Sequence, residues 1–283
     1  MTGATRMTWV ITVTNQKGGV GKTTSVINIS AALVSRHGYR VLLIDMDPQG
    51  HLGLSLGVKP ASTADTIAAP LMGLRRLSEV AHETSINGLR IVPSNEDLAA
   101  VEEQLSRQPG REAVLRGVLT GEISEYDVVM IDTPPSLGVL TFNAIYAADY
   151  ILVPVQPRLY SIEGLRRLYK ILELMRTRLG RKIEILGHFL TMVDNRYRIT
   201  HEVREDLRAR LGDGLLRSEI PSSVRVEEGH FYRSPVVAYA PDTPVASAYA
   251  ELASEIISRL ASSMNSQSIT SAEKGAETER ITF

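Results

Sequence analysis

The 283-residue sequence has no cysteine. Disulfides, thiolate metal sites, cysteine-held iron–sulfur clusters and cysteine nucleophiles are therefore excluded in one step. It also lacks any apolar stretch approaching the ~18 residues that a membrane-spanning helix needs. Charge of one sign is not in excess either: the formal net charge is -1, which excludes bulk polycation behaviour while leaving local patches open. No Pro/Gly/Ser-rich linker divides the chain, so one large α/β domain is favoured over two small ones. The start, "MTGATRMTWVITVTNQ", carries one arginine and a short apolar run that passes straight into a glycine loop. It reads as a buried strand and not as a secretory leader, so a cytoplasmic protein is expected.

What the sequence does have is alternation. Short apolar runs of the buried-strand type occur at 9–14, 41–46, 89–94, 127–132, 150–155 and 183–193. Amphipathic helical patterns occur between and after them at 23–37, 95–106, 161–179, 200–211 and 245–260. Strand and helix alternating over the whole length predict an α/β fold, a single mainly parallel twisted sheet with helices on both faces. Ligands then bind at the carboxyl ends of the strands. Residues 1–7 are expected to be a flexible N-terminus, 8–262 the folded domain, and 263–283, polar and without periodicity, a disordered tail.

The first strand runs into "NQKGGVGKTT" and then a helix. In that context a glycine loop presents backbone N–H groups and a helix N-terminus to an anion. Gly18, Gly19, Val20, Gly21 and Thr24 line the cradle, Lys22 reaches the β- and γ-phosphates, and the Thr23 hydroxyl coordinates Mg²⁺. The bland alternative is a glycine turn without a ligand. One residue is surplus to the common pattern: Lys17, five positions ahead of Lys22.

Two further strands end in acids. "LLIDMDPQG" carries Asp45 and Asp47, which either cap the strand or, beside the phosphates, orient an attacking water and a metal-bound water. "VVMIDTPPS" carries Asp132 after four apolar residues, the layout of an acid that supports Mg²⁺.

Together with "VPVQP", "LTMVDNR" and "IPSSVRVEE", these segments resemble the ParA-type partition ATPases, in the deviant Walker-A branch of P-loop NTPases that also holds MinD. The resemblance covers about residues 8 to 260. It implies ATP and Mg²⁺ as cofactors and slow hydrolysis to ADP and phosphate. It also accounts for Lys17, because in this family the early lysine reaches the nucleotide of a partner subunit, so that ATP is sandwiched in a homodimer. A lysine serving its own subunit is the alternative. By the same resemblance Asp47 is the residue most needed for hydrolysis and Asp45 its metal-side neighbour. Met192, Asn195, Ile220, Pro221 and Val224 would recognise the base.

The resemblance further implies that the ATP dimer binds nucleoid DNA without sequence preference and is released when a ParB-like partner stimulates hydrolysis. From Arg158 to Arg233 there are 16 Lys or Arg against 11 Asp or Glu, a net of +5 that leaves -6 for the remainder. Arg196, Arg198 and Arg225 are the expected DNA contacts, with Arg204 and Arg208 extending the patch. Two features depart from the family: Ser222 stands where an arginine is usual, and bulky Phe231, Tyr232 and Arg233 replace a small, glycine-containing stretch. The alternatives are a MinD-like membrane-associated ATPase, whose basic amphipathic tail the sequence lacks, and a metabolic ATP-dependent enzyme of the same fold.

Overall fold

The computed structural model describes residues 7–158 and 161–278, with side chains as far as Ser263. The expected flexible N-terminus thus falls almost entirely outside the described residues, as do positions 279–283 of the expected tail. The strands are β1 (Trp9–Val13), β2 (Val41–Asp45), β3 (His82–Glu83), β4 (Leu89–Val92), β5 (Val128–Asp132), β6 (Tyr150–Val155), β7 (Glu184–Val193) and β8 (Leu215–Pro221). They form one sheet in the order β3-β4-β2-β5-β1-β6-β7-β8. Every pairing is parallel except the short antiparallel β3–β4 edge. The α/β expectation holds, and with it the six strands read from apolar runs.

The helices are α1 (Lys22–His37), α2 (His51–Ser55), α3 (Ala68–Leu71), α4 (Leu98–Ser106), α5 (Val114–Leu119), α6 (Val139–Ala147), α7 (Ser161–Leu179), α8 (Arg198–Leu211), α9 (Val224–Tyr232), α10 (Val236–Tyr239) and α11 (Pro244–Thr278). Successive strand residues face opposite sides, so the apolar runs feed two layers. On one face Ile11, Val13, Leu43 and Met130 pack with Val26, Ile29 and Leu33 of α1 and Leu252, Ile256 and Leu260 of α11. On the other, Val10, Leu42, Ile44 and Ile131 pack against α3 to α6. Ile151, Val153 and Leu190 continue that layer with Leu165 and Leu168 of α7 and Leu207 of α8.

Two differences from the sequence reading have physical causes. Strand β8 escapes an apolar-run reading because Arg217, Ser218 and Glu219 interrupt it. These polar positions are satisfied from neighbouring helices: the Glu255 carboxylate of α11 accepts from Arg217 N (2.9 Å), Ser218 N (3.0 Å) and Ser218 Oγ (2.8 Å). The backbone of α11 also continues to Thr278, through most of the stretch read as disordered. Lack of apolar periodicity says that nothing packs on a segment. It does not forbid helical backbone bonds in a proline-free run of Ser, Ala, Glu and Lys.

Candidate nucleotide site

The order β2-β5-β1 sets three strand ends side by side. Asp45 is in register with Asp132, and Asp132 with Val13, the last residue of β1 before the loop. Side chains pin the loop on both flanks. Asn15 Nδ2 donates to the Pro154 carbonyl (2.7 Å) and Asn15 Oδ1 accepts from Lys17 N (3.0 Å). On the far side Thr191 Oγ1 donates to the Val20 carbonyl (3.0 Å). Gly19 and Gly21 have φ of 70° and 80°, a conformation that a side chain would strain, and α1 starts immediately after them. Its first turn carries no acid, so its free N–H groups are left for an anion.

The loop opens on a cavity of about 610 Å³, within the usual range for ligand sites, lined by Gly18, Gly19, Gly21, Lys22, Thr23, Thr24, Asp47, Gln49, His51, Leu54, Ser55, Pro135, Met192 and His230. Lys22 is buried, and its Nζ donates to the Lys17 carbonyl (3.3 Å). Burial lowers its pKa, while the Asp132 and Asp47 charges pull the other way. Lys17 is exposed, and among the described residues its ammonium has no hydrogen-bond or ion-pair partner in its own chain.

The three acids differ in what they can do. Asp45 is fully buried and does not reach the cavity; its two oxygens accept from Asp47 N (3.0 Å) and Leu52 N (3.2 Å). It holds the turn that presents Asp47. Burial and the neighbouring Asp132 charge raise its pKa well above the carboxylate range. Asp47 does line the cavity, with Oδ1 accepting from Gln49 N (3.0 Å) and its carbonyl held by the Ser94 hydroxyl. Asp132 Oδ2 accepts from Thr23 Oγ1 (2.6 Å), while its buried Oδ1 has no partner among the described residues. Burial pushes the Asp132 carboxyl up to about 7, against the Thr23 bond and the Lys22 charge.

An orphaned, buried carboxylate oxygen beside a hydroxyl is what a hard cation requires, and Thr23 with Asp132 fits Mg²⁺. That ion takes one or two protein ligands and completes its shell with phosphate and water. Among the described residues no cluster of three His, Cys, Asp or Glu has the arrangement of an all-protein metal cage.

A family model described as an AAA domain matches residues 8–185. The chain is 39% identical over 250 residues to the chromosome partitioning protein ParA of Myxococcus xanthus, covering 88% of each. The chain belongs to the ParA family of partition ATPases. It is also 36% identical over 247 residues to the sporulation initiation inhibitor protein Soj of Bacillus subtilis, covering 87% of this chain and 97% of that one. Among solved structures it resembles a cobyrinic acid a,c-diamide synthase from Mycobacterium smegmatis with bound ATP analogue and magnesium (TM-score 0.75, 34% identity, 88% and 93% covered). It resembles as well the septum site-determining protein MinD of Pyrococcus horikoshii with Mg-ADP (TM-score 0.73, 25% identity, 88% and 96% covered).

Not every residue proposed for this ParA-family site meets there. Met192, held at φ 52°, lines the cavity beside Gly21. A non-glycine residue in the left-handed region is strained, which often marks a functional wall. Ile220 and Pro221 line an adjoining pocket of about 110 Å³ that shares Gly21, Thr24 and Met192 with the main cavity. Val224 and Asn195 line neither. Val224 is 70% exposed at the start of α9, and Val226 lines the adjoining pocket instead. Asn195 accepts from Arg204 (2.6 Å).

The DNA-contact candidates Arg196, Arg198 and Arg225 are all exposed, and each is paired: Arg196 with Asp194, Arg198 with Glu202 (2.7 Å) and Arg225 with Glu228 (2.8 Å). Arg204 and Arg208 both bind Glu219 of β8 (2.8 and 3.0 Å). Arg204 is only 14% exposed, so it ties α8 to the sheet edge. Sequence reasoning missed Gln49, His51, Ser55 and His230 as cavity residues. For His230 a signal existed, because it stands in the bulky "GHFYR" stretch that departs from the family pattern.

Proposed function

We propose that this ParA-family chain is an ATP-dependent partitioning switch, in which ATP with Mg²⁺ joins two chains into a dimer that binds DNA without sequence preference. The observation that carries the reading is the pair of lysines: Lys22 is buried and lines its own cavity, and Lys17, one residue before the lining Gly18, is exposed with its ammonium unpartnered among the described residues. A cation delivered to a neighbour's phosphates works as an arginine finger does.

In the single chain, the backbone of the glycine loop and α1 binds the phosphate chain and Lys22 neutralises it. Thr23 and Asp132 would hold Mg²⁺, which when bound offsets phosphate charge. Asp47 is the acid open to the cavity and orients the attacking water; Asp45 fixes the turn on which Asp47 sits. Completion of the site by a second Lys17 makes turnover slow in the free chain. A ParB-like partner that stabilises the complete site accelerates hydrolysis and returns the protein to the monomer. Arg196, Arg198 and Arg225 form the DNA face. The likeness to the chromosome partitioning protein of M. xanthus supports chromosomes as cargo.

The likeness to the diamide synthase supports a second reading, a metabolic ATP-dependent enzyme. Measuring molecular mass and retention on duplex DNA with ATP, with ADP and without nucleotide separates the two. Dimerisation and DNA retention that require ATP, both lost in Lys17→Ala, are expected. A wild-type chain that stays monomeric with ATP and ignores DNA would leave the metabolic reading.

A further inference from the structure

We propose that His230 is a positioning residue for the phosphate chain of the bound nucleotide: from α9 it holds the Thr24 hydroxyl in the orientation that donates to a phosphate oxygen. The inference rests on the nucleotide-binding part of the function proposed above.

The imidazole bridges two hydroxyls across the cavity wall. His230 Nε2 lies 3.3 Å from Thr24 Oγ1 and Nδ1 lies 2.7 Å from Ser55 Oγ. All three residues line the cavity. Thr24 belongs to the first turn of α1, the anion-facing end, and its carbonyl is fixed by Asn28 Nδ2 (2.9 Å). His230 is equally constrained from behind. A Cβ added at Gly229 would meet the Ser234 carbonyl at 2.8 Å, and the Tyr239 hydroxyl is 2.8 Å from both the Arg225 carbonyl and Glu228 Oε2. The last turn of α9 therefore carries the imidazole on tightly packed backbone.

A neutral imidazole donates through one nitrogen and accepts through the other, and a hydroxyl has a single proton. Partial burial and the nearby His51 favour the neutral ring, with Glu227 opposing. The chain Ser55–His230–Thr24 then has two polarities. In one, Thr24 donates its proton to Nε2 and turns lone pairs towards the cavity, which repels an anion. In the other, Ser55 donates to Nδ1, Nε2–H donates to Thr24 Oγ1, and the Thr24 proton is free for the ligand. A phosphate oxygen can only accept, so it selects the second polarity, and aligned hydrogen bonds reinforce one another. The same step carries the occupancy of the cavity to α9, through a residue ending on neither metal nor base.

The test is calorimetric titration with ADP and MgCl₂ of wild type, His230→Phe, His230→Gln and Ser55→Ala, with thermal melting to confirm folding. Phenylalanine keeps the bulk and loses the bridge, so its Kd should rise about two- to tenfold. Glutamine can accept from Ser55 and donate to Thr24, so it should recover most of that loss. Ser55→Ala leaves the imidazole in place and should weaken binding about two- to threefold, since one bond of the chain is lost. Amide exchange across 224–232 should slow on adding ADP and MgCl₂ in wild type and not in His230→Phe. Wild-type affinity in the phenylalanine variant, or glutamine no better than phenylalanine, overturns the proposal. A wild-type chain that does not take up ADP overturns the nucleotide reading itself.

Discussion

Asp132 is the residue whose replacement should divide stability from function. Its carboxyl is fully buried, satisfied on one oxygen by Thr23 and on the other by nothing among the described residues, and its pKa stands at about 7. The folded value lies above the unfolded one, so the native state keeps a proton that the unfolded chain has released. This group therefore destabilises the fold progressively as pH rises from about 4 to about 7, and its effect is constant above that. A carboxyl at about 7 instead of 3.8 costs up to about 4 kcal/mol at pH 8.

Asp132→Asn removes that cost and the repulsion on Asp45, while an amide oxygen still accepts from Thr23. We expect the nucleotide-free variant to gain about 1–3 kcal/mol at pH 8, since the new amide meets imperfect partners. That gain corresponds to a rise in Tm of several degrees. The gap should close or slightly reverse at pH 5, where the native carboxyl is largely protonated and about 2.5 kcal/mol of the cost is gone. With ADP and MgCl₂ the order should reverse, because ligand stabilisation scales with affinity and the variant has lost its cation oxygen. Urea unfolding at pH 5 and pH 8, with and without ligand, reads all of this. A variant no more stable than wild type at pH 8 without nucleotide, or a gap that ignores pH, would refute the reasoning.

Other outcomes follow from the same geometry. Lys17→Ala should bind ADP as wild type does, stay monomeric with ATP by light scattering, and lose at least about 100-fold in phosphate release, as when an arginine finger is withdrawn. Asp47→Asn, at the only one of the three acids that opens on the cavity, should keep nucleotide affinity within a few-fold while hydrolysis falls at least about 100-fold; loss of binding instead would make Asp47 a ligand and not a water-orienting group. Glu255→Ala strips three donors of β8 of their acceptor and should cost about 1–3 kcal/mol in urea unfolding, with no change in nucleotide affinity.

The sheet was legible because both faces of a parallel sheet are covered, which makes its strands read as unbroken apolar runs. "VLLID" and "VVMID" could hardly be anything else. Strand β8 shows the limit: "LLRSEIP" looks polar until Glu255 and the arginines of α8 are folded against it, and no local pattern announces partners that arrive from other elements. The phosphate loop was legible for a related reason, as its chemistry lies in consecutive backbone groups. The division between Asp45 and Asp47 came from the family resemblance alone, because both are acids two residues apart; the structure adds that the Asp45 oxygens are taken by Asp47 N and Leu52 N while Asp47 lines the cavity. His230 announced itself only as part of a stretch that departs from the family pattern, and its place at the site stayed hidden because it reaches the loop from 206 positions away.

The paired arginines on the outer surface set the character of any contact with a polyanion. A phosphate reaching Arg225 must first take the place of Glu228, and one reaching Arg198 that of Glu202. Each encounter then exchanges one anion for another on the same guanidinium, and the carboxylate left behind stays close enough to compete. Fewer mobile cations leave the nucleic acid per contact than the ~0.9 expected for each neutralised phosphate. Binding built from such exchanges is shallow in its dependence on ionic strength and short-lived at each position.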